Sequence, residues 1–398
     1  MPPASPSARL QRWLLGIAVL SYLADSMLVP FYPQYFQQVY GLAWPMATGL
    51  YVAVCRLGVL GSFQFWAKLA QRVPVMRLLT YTQGAAGVLC LACAAAPNVL
   101  SFVVLSVLAD LCKSSYLLLY PHLIRVAGRE QEASVIASMG FIVNLGIVGA
   151  ALAGGALFDG LNPRYIIVGV ALLDFGQLFI SRHVLRMPHA SNEVAAPAAE
   201  DAAPAIGNGR RLVGVAALMF VFYFTFMLLR PFYTRYLAGA FPGISLKASG
   251  LLFVIPSILA VGIAPFTRRI TTDHTIRRVL LGAALVLGLA TLAQLASPSL
   301  GWLVAARIGY GAALFLLEIG IDYLLFRWST AADMMGNYRV INFMQNLAII
   351  LAPLLASYAV ETASLTTPFL LATAGALALV PVTLFCFRSA FRPVSCAA

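Results

Sequence analysis

Apolar runs near or above 18 residues recur along the whole chain, each long enough as a helix to cross a hydrocarbon layer of roughly 30 Å. They fall at 13–37, 46–67, 77–96, 99–121, 134–158, 164–182, 211–237, 248–267, 277–296, 300–326, 336–360 and 367–387. A chain of 398 residues that is 61% hydrophobic and 10% charged cannot be sorted into a soluble core and a polar surface, since soluble domains carry about a quarter charged residues. The reading is an all-α integral membrane protein with twelve transmembrane helices in a lipid bilayer.

The same chain says one thing twice. Met27–Phe36 reads MLVPFYPQYF, and about 200 residues later Met227–Leu237 reads MLLRPFYTRYL. Thr48-Gly49-Leu50 is answered by Ser249-Gly250-Leu251, and Asn144-Leu145-Gly146-Ile147 by Asn346-Leu347-Ala348-Ile349. Two pseudo-symmetric six-helix bundles are expected, residues 1–186 and 211–398, an arrangement that suits a substrate site between halves. The stretch 187–210 is rich in Ala and Pro and poor in large apolar side chains, so it reads as a linker.

The formal charge of +12 invites a nucleic-acid reading, and the placement of the basic residues argues against it. Arg9, Arg12, Lys68, Arg72, Arg125, Arg182, Arg186, Arg268, Arg269, Arg327 and Arg388, with others, fall at one face of the twelve-span arrangement; only Arg164, Arg235 and Lys247 fall opposite. By the positive-inside rule both termini and the linker are cytoplasmic, in a multi-pass protein of the inner (plasma) membrane. The first helix carries no small-residue cleavage pattern and reads as retained. Cys90 and Cys93 form a C-x-x-C on an apolar helix, where packing is the ordinary role and redox or metal binding the alternative.

Two halves, an in/in topology and a central loop resemble the major facilitator superfamily of secondary transporters. Its loop between helices 2 and 3 carries Gly-x-Leu-Ala-Asp-Arg-x-Gly-Arg; here Ala67–Val75 keeps Leu69, Ala70 and Arg72, with Gln71 in the acidic place. Arg268-Arg269 occupy the matching loop of the second half, so the resemblance implies gating by Arg72 and Arg269. Helix 5, Asn144–Gly155, looks like the glycine-rich motif of family members that export by antiport, with Ala150-Ala151 replacing Gly-Pro and Pro353 at the related place in helix 11. Small side chains let helix backbones approach closely, so dense packing also accounts for them.

A charge at mid-bilayer costs at least about 2.5–3.5 kcal/mol on insertion scales, so each one needs a partner, water or a function. Asp25, Arg56 and Asp110 fall at similar depth, with Lys113 one turn beyond Asp110 and Asp174 on helix 6. In the family's arrangement helices 1, 2, 4 and 5 face the cavity, which makes Asp25, Arg56, Asp110 and Lys113 a cluster. One reading is a set of ion pairs that fixes helix register. The other is proton coupling, because burial and a nearby cation move a carboxylate's proton affinity in opposite directions. Asp25 and Asp110 are then the proton carriers, with Arg56 and Lys113 tuning them or holding an anion.

In the second half, Arg230 precedes the repeated Pro-Phe-Tyr, Arg307 lies beside Gly309 and Gly311, and Glu318 and Asp322 share a helix face. Glu318 is the deeper acid and joins the proton-coupling candidates. Asn144, Gln345 and Asn346 add substrate-binding amides on helices 5 and 11, with helix-to-helix bonding as the alternative. Tyr32 and Tyr233 are outer-gate or interfacial-anchor residues.

No phosphate-cradling loop, His-Glu-x-x-His or Gly-x-Ser-x-Gly occurs, and the four histidines lack metal-ligand spacing, so no enzyme, metal site or cofactor is expected. The expectation is a monomeric secondary transporter, a proton-coupled exporter of a small anionic or zwitterionic organic molecule such as a carboxylate siderophore or an amphiphilic drug. The alternative is a proton symporter that imports an organic anion.

Overall fold

The computed structural model describes residues 6–127, 132–160, 162–187, 209–263, 272–329 and 334–388. Within them every regular element is helical, and twelve helices are long and apolar enough to cross a membrane. We number these spans in chain order: 1, Arg9–Tyr40; 2, Pro45–Leu69; 3, Val75–Ala94; 4, Val99–Leu118; 5, Ser138–Gly160; 6, Arg164–Leu185; 7, Arg211–Leu229; 8, Leu246–Ile263; 9, Ile276–Leu295; 10, Leu300–Trp328; 11, Asn337–Thr362; 12, Thr367–Phe387. Large apolar side chains point outward from them, among them Leu100 at 73% exposed and Leu289 at 68%. Such faces suit lipid and would be costly in water.

The chain divides into two compact units. The first comprises Met1–Trp44, Val54–Glu200 and Leu237–Val254, and the second Pro45–Ala53, Asp201–Tyr236 and Ile255–Ala398. The start of span 2 therefore groups with the second unit, and the start of span 8 with the first. Residues 188–208, the bulk of the linker read from the sequence, lie outside the described residues.

Local chemistry sets the helix ends. Asn98 caps span 4 in a reciprocal box with Ser101, and Ser299, at the repeat-related position, caps span 10 by accepting from the Trp302 N–H. The prolines of the repeated segment break the spans that carry it: span 1 is helical over Pro6–Ser26, passes through a 3-10 turn at Val29–Phe31 and resumes at Tyr32–Tyr40. The first unit is held at one end by Leu10, Leu14, Ile17, Val75, Met76, Leu79, Leu119, Leu123, Ile142 and Val184, a buried cluster drawn from spans 1, 3, 5 and 6 and the helix after span 4.

Candidate functional site

Asp25 stands one residue before the end of the first helix of span 1, where the chain begins to unwind toward Pro30. Its carboxylate lies within electrostatic reach of the Tyr116 hydroxyl of span 4. Arg56 of span 2 lies within electrostatic reach of Asp25, Asp110, Tyr116 and Tyr32. Asp110 of span 4 takes a hydrogen bond from the Cys55 thiol and lies within reach of Asp25, Arg56 and Lys113. The first unit thus brings Asp25, Arg56 and Asp110 together, with Tyr116, Tyr32 and Cys55 around them.

The glycines of span 5 position this cluster. A Cβ at Gly146 would sit 2.7 Å from the Tyr22 Cβ and one at Gly149 would sit 3.0 Å from Leu23 Cδ2, while one at Gly154 would strike the Met27 carbonyl. Three glycines on one helix therefore admit span 1 on both sides of Asp25, and at Gly146 and Gly154 a larger side chain would press on the backbone or Cβ of span 1.

Lys113 belongs to a second layer. Its ammonium is 3.0 Å from Asp174 Oδ2 of span 6, and both side chains are buried. Gln177 Nε2 donates to Asp174 Oδ1 at 3.3 Å, Ser21 Oγ donates to Gln177 Oε1 at 2.6 Å, and the Cys90 thiol approaches Asp174 Oδ2 at 3.5 Å. This network runs through the interior of the unit and commits Lys113 to Asp174. Cys93 pairs instead with Ser106 Oγ at 3.6 Å, so the two cysteines of the C-x-x-C serve different packing contacts.

The second unit repeats one element of the first with the partners exchanged. Tyr223 of span 7 donates to Glu318 Oε1 of span 10 at 2.9 Å. In the first unit the acid is on the leading span and the tyrosine on the fourth; in the second unit the tyrosine leads and the acid is on the span matching the fourth. Asp322 lies one turn beyond Glu318, and Arg230 lies within reach of Glu318 and Tyr223, its guanidinium 5.0 Å over the Phe226 ring. Arg307 lies apart from this group. It is buried between the rings of Tyr233, 4.0 Å away, and Tyr310, 4.7 Å away, and donates to Gln294 Oε1 at 3.4 Å. Repeat-related Cys93 and Ser106 make the matching contact in the first unit, so Arg307 occupies a helix-to-helix packing position.

The amides turn inward on their own helices. Asn144 Nδ2 donates to the Gly140 carbonyl at 3.0 Å, and Asn346 Nδ2 to the Asn342 carbonyl at 2.8 Å, one turn back in each case. Gln345 is half-buried, Arg72 is exposed in the turn after span 2, and Arg269 lies outside the described residues. Tyr233 is fully buried against Phe369 and Arg307, while Tyr32 is half-buried and stacked on Phe36. Sequence reasoning passed over Tyr22, Tyr116 and Tyr223. The signal was present in the spacing, since Tyr116 near the end of span 4 and Tyr120 on the helix after it, four apart, answer Glu318 and Asp322 four apart on span 10.

The sequence profile of the Major Facilitator Superfamily matches residues 14–273, more than half of the chain. The chain belongs to that superfamily. It is a multi-pass membrane transporter and not an enzyme. Comparison with curated protein sequences gives no match. Among solved structures, the nucleoside transporter NupG is similar with a TM-score of 0.78 at 12% identity, over 95% of this chain and 99% of that one. A bacterial homolog of the human lysosomal transporter Spinster, in an inward-facing and unoccupied conformation, gives 0.74 at 14% identity over 98% and 97%. The POT family transporter PepTSo gives 0.73 at 11% identity over 98% of each chain. At such identities the likeness is one of fold, and one superfamily fold serves all three.

Proposed function

We propose that this transporter is a proton-coupled exporter, an antiporter that moves a small anionic or zwitterionic organic molecule by alternating access. The observation that carries the reading is the group formed by Asp25, Arg56, Asp110 and Tyr116 deep in the first unit, two carboxylates that share one guanidinium. Charges within membrane-spanning helices rarely improve stability over apolar packing, so an arginine shared by two acids is better explained by exchange of partners. When an organic anion takes the guanidinium, a carboxylate loses its cation and holds a proton more tightly; when the anion leaves, the proton is released. Asp25 and Asp110 are the proton carriers on this account. Arg56 holds the anion; within the second unit, Arg230 is a further candidate cation and Glu318 an additional acid. The resemblance of span 5 to the glycine-rich motif of exporting members supports antiport, with Ala150-Ala151 in place of its Gly-Pro pair. The protein is placed in the inner membrane as a monomer with both termini cytoplasmic, supported by the one-sided distribution of its basic loops.

Inside-out vesicles test direction and coupling together. With the lumen acidified, vesicles carrying the protein accumulate a member of a radiolabelled panel of carboxylate chelators and amphiphilic drugs, and vesicles carrying Asp25→Asn or Asp110→Asn do not. Substrate loss from the lumen driven by the same gradient would identify a symporter and overturn the export reading.

A further inference from the structure

Span 4 is broken where span 10 is continuous. Its α-helix ends at Lys113, a 3-10 segment runs from Ser114 to Leu118, and α-helix resumes at Leu119, whereas Leu300–Trp328 is a single helix. Pro121 contributes to the break, because it has no N–H to offer the carbonyl four residues earlier. The rest of the break is built by neighbours. Trp66 Nε1 of span 2 donates to the Leu111 carbonyl at 2.7 Å, and Gln83 Nε2 of span 3 donates to the Lys113 carbonyl at 3.4 Å. Ser114 Oγ pairs with Ser62 Oγ at 2.6 Å, and Ser115 Oγ with Thr82 Oγ1 at 2.6 Å. The ion pair to Asp174 fixes the residue just before the break. Spans 2, 3 and 6 thus brace one turn of non-α backbone by side-chain bonds that a continuous helix would not need.

The residue at the centre of that turn is Tyr116, which packs edge-on against Tyr22, three residues before Asp25, with ring centroids 5.9 Å apart, and lies within electrostatic reach of Asp25. A 3-10 turn advances about 120° per residue against about 100° for an α-helix, and rises about 2.0 Å against 1.5 Å. Rewinding five residues between the two forms would rotate the following helix by about 100° and shift it by about 2.5 Å. We propose that Ser114–Leu118 is a hinge that reads the protonation state of Asp25 through Tyr116, making Tyr116 a positioning residue for coupling. An ionised Asp25 attracts the Tyr116 hydroxyl and holds the segment in its 3-10 form; a protonated Asp25 weakens that hold and lets span 4 rewind. The charged and titratable groups facing Asp25 are Tyr22 of its own span, Arg56 of span 2, Asp110, Lys113 and Tyr116 of span 4, and Asp174 of span 6. The inference rests on Asp25 being a proton carrier.

Amide hydrogen exchange of the full-length protein in lipid nanodiscs tests it. Corrected for intrinsic rates, exchange over residues 112–119 is expected to change about fivefold or more between about pH 5.5 and pH 8 in the wild type. Asp25→Asn removes that response, and so does Tyr116→Phe at unchanged amounts of folded protein. Pro121→Ala, which restores the missing N–H, slows exchange across the segment at both pH values. A wild-type segment with no pH response, or a full response in Tyr116→Phe, overturns the hinge. Proton-driven transport with an unresponsive segment overturns the hinge alone; a responsive segment without proton-driven transport overturns the exporter reading alone.

Discussion

Lys113 and Asp174 form a 3.0 Å ion pair whose two side chains are almost entirely removed from solvent. Removing one partner from such a pair strands a charge in low dielectric, at a cost of about 3–5 kcal/mol, whereas replacing both with apolar residues of similar size is often neutral. Asp174→Asn is therefore expected to lower the yield of folded protein and its melting temperature in detergent sharply. The double variant Lys113→Met/Asp174→Leu should recover most of both. Wild-type melting of Asp174→Asn would show that the pair is not needed for the fold.

Asp159, at the end of span 5, accepts the main-chain N–H of Leu246 at 3.0 Å through Oδ1 and that of Lys247 at 2.8 Å through Oδ2. These are two of the unsatisfied donors at the start of span 8, and a carboxylate there also meets the positive end of the helix dipole. Gly155 permits the approach, since a Cβ there would lie 3.0 Å from Lys247 Cα. Capping of this kind is worth about 0.5–2 kcal/mol. Asp159→Ala should accelerate hydrogen exchange at the Leu246 and Lys247 amides by about tenfold, with Asp159→Asn in between. Unchanged exchange in the alanine variant would mean that the cap contributes nothing.

The spans and the superfamily were legible because they depend on one-dimensional properties, the length of each apolar run and the order of motifs along the chain. The partners of the charges were only half legible. Depth along a helix places Asp25, Arg56 and Asp110 at one level, and the structure brings them together. Which way a side chain faces around its helix is a separate coordinate, and the sequence carries it only while the winding is regular. Lys113, one turn from Asp110, lies within electrostatic reach of Asp25 and Asp110, and its ammonium pairs with Asp174 of span 6, a partner that depth alone did not indicate. The spacing of Tyr116 and Tyr120 matched that of Glu318 and Asp322, but the 3-10 turn that carries Tyr116 shifts its azimuth from any α-helical wheel, so the direction of its side chain was not legible. Arg307 beside two glycines suggested a ligand contact, and two tyrosine rings occupy that direction instead.

Outside the membrane, Asp273 holds the one strong surface pair described in the second unit. Arg327 donates through Nε to Oδ1 at 3.0 Å and through its terminal NH2 to Oδ2 at 3.0 Å, and the Tyr323 hydroxyl donates to Oδ1 at 2.7 Å. The Arg327 fork, with help from Tyr323, lowers the Asp273 carboxyl from its ordinary 3.8 to about 2. A carboxylate depressed on folding contributes its stability above its unfolded value and loses it as pH falls through the folded one, here between about 4 and 2. Across about pH 5–8 the pair is complete, so pH dependence of transport in that window arises elsewhere. Asp273→Asn should leave the shape of the pH profile unchanged, and carbon-detected NMR of the carboxyl should titrate below about pH 3. A profile whose midpoint moves in this variant would place Asp273 among the coupling groups.

The close packing of span 5 on span 1 makes glycine a local requirement, and the glycines of that helix are not equivalent. A methyl at Gly146 meets the Tyr22 Cβ at 2.7 Å, closer than unstrained carbon contacts allow, whereas Gly140, on the same helix, has nothing within 4 Å. Overpacking of this kind costs about 1–3 kcal/mol and is relieved by moving a backbone. The backbone able to move is span 1 at Tyr22, three residues from Asp25, so the displacement falls on the carboxylate and on the Tyr22 contact with Tyr116. Gly140→Ala gains about 0.8–1 kcal/mol of helix propensity at an open site and should leave stability and transport near wild type. Gly146→Ala should reduce transport more than it reduces the amount of folded protein, and Gly146→Val more so. Equal effects of the alanine at the two positions would mean that the span 5 glycines serve only general helix packing, and that the placement of Asp25 does not depend on them.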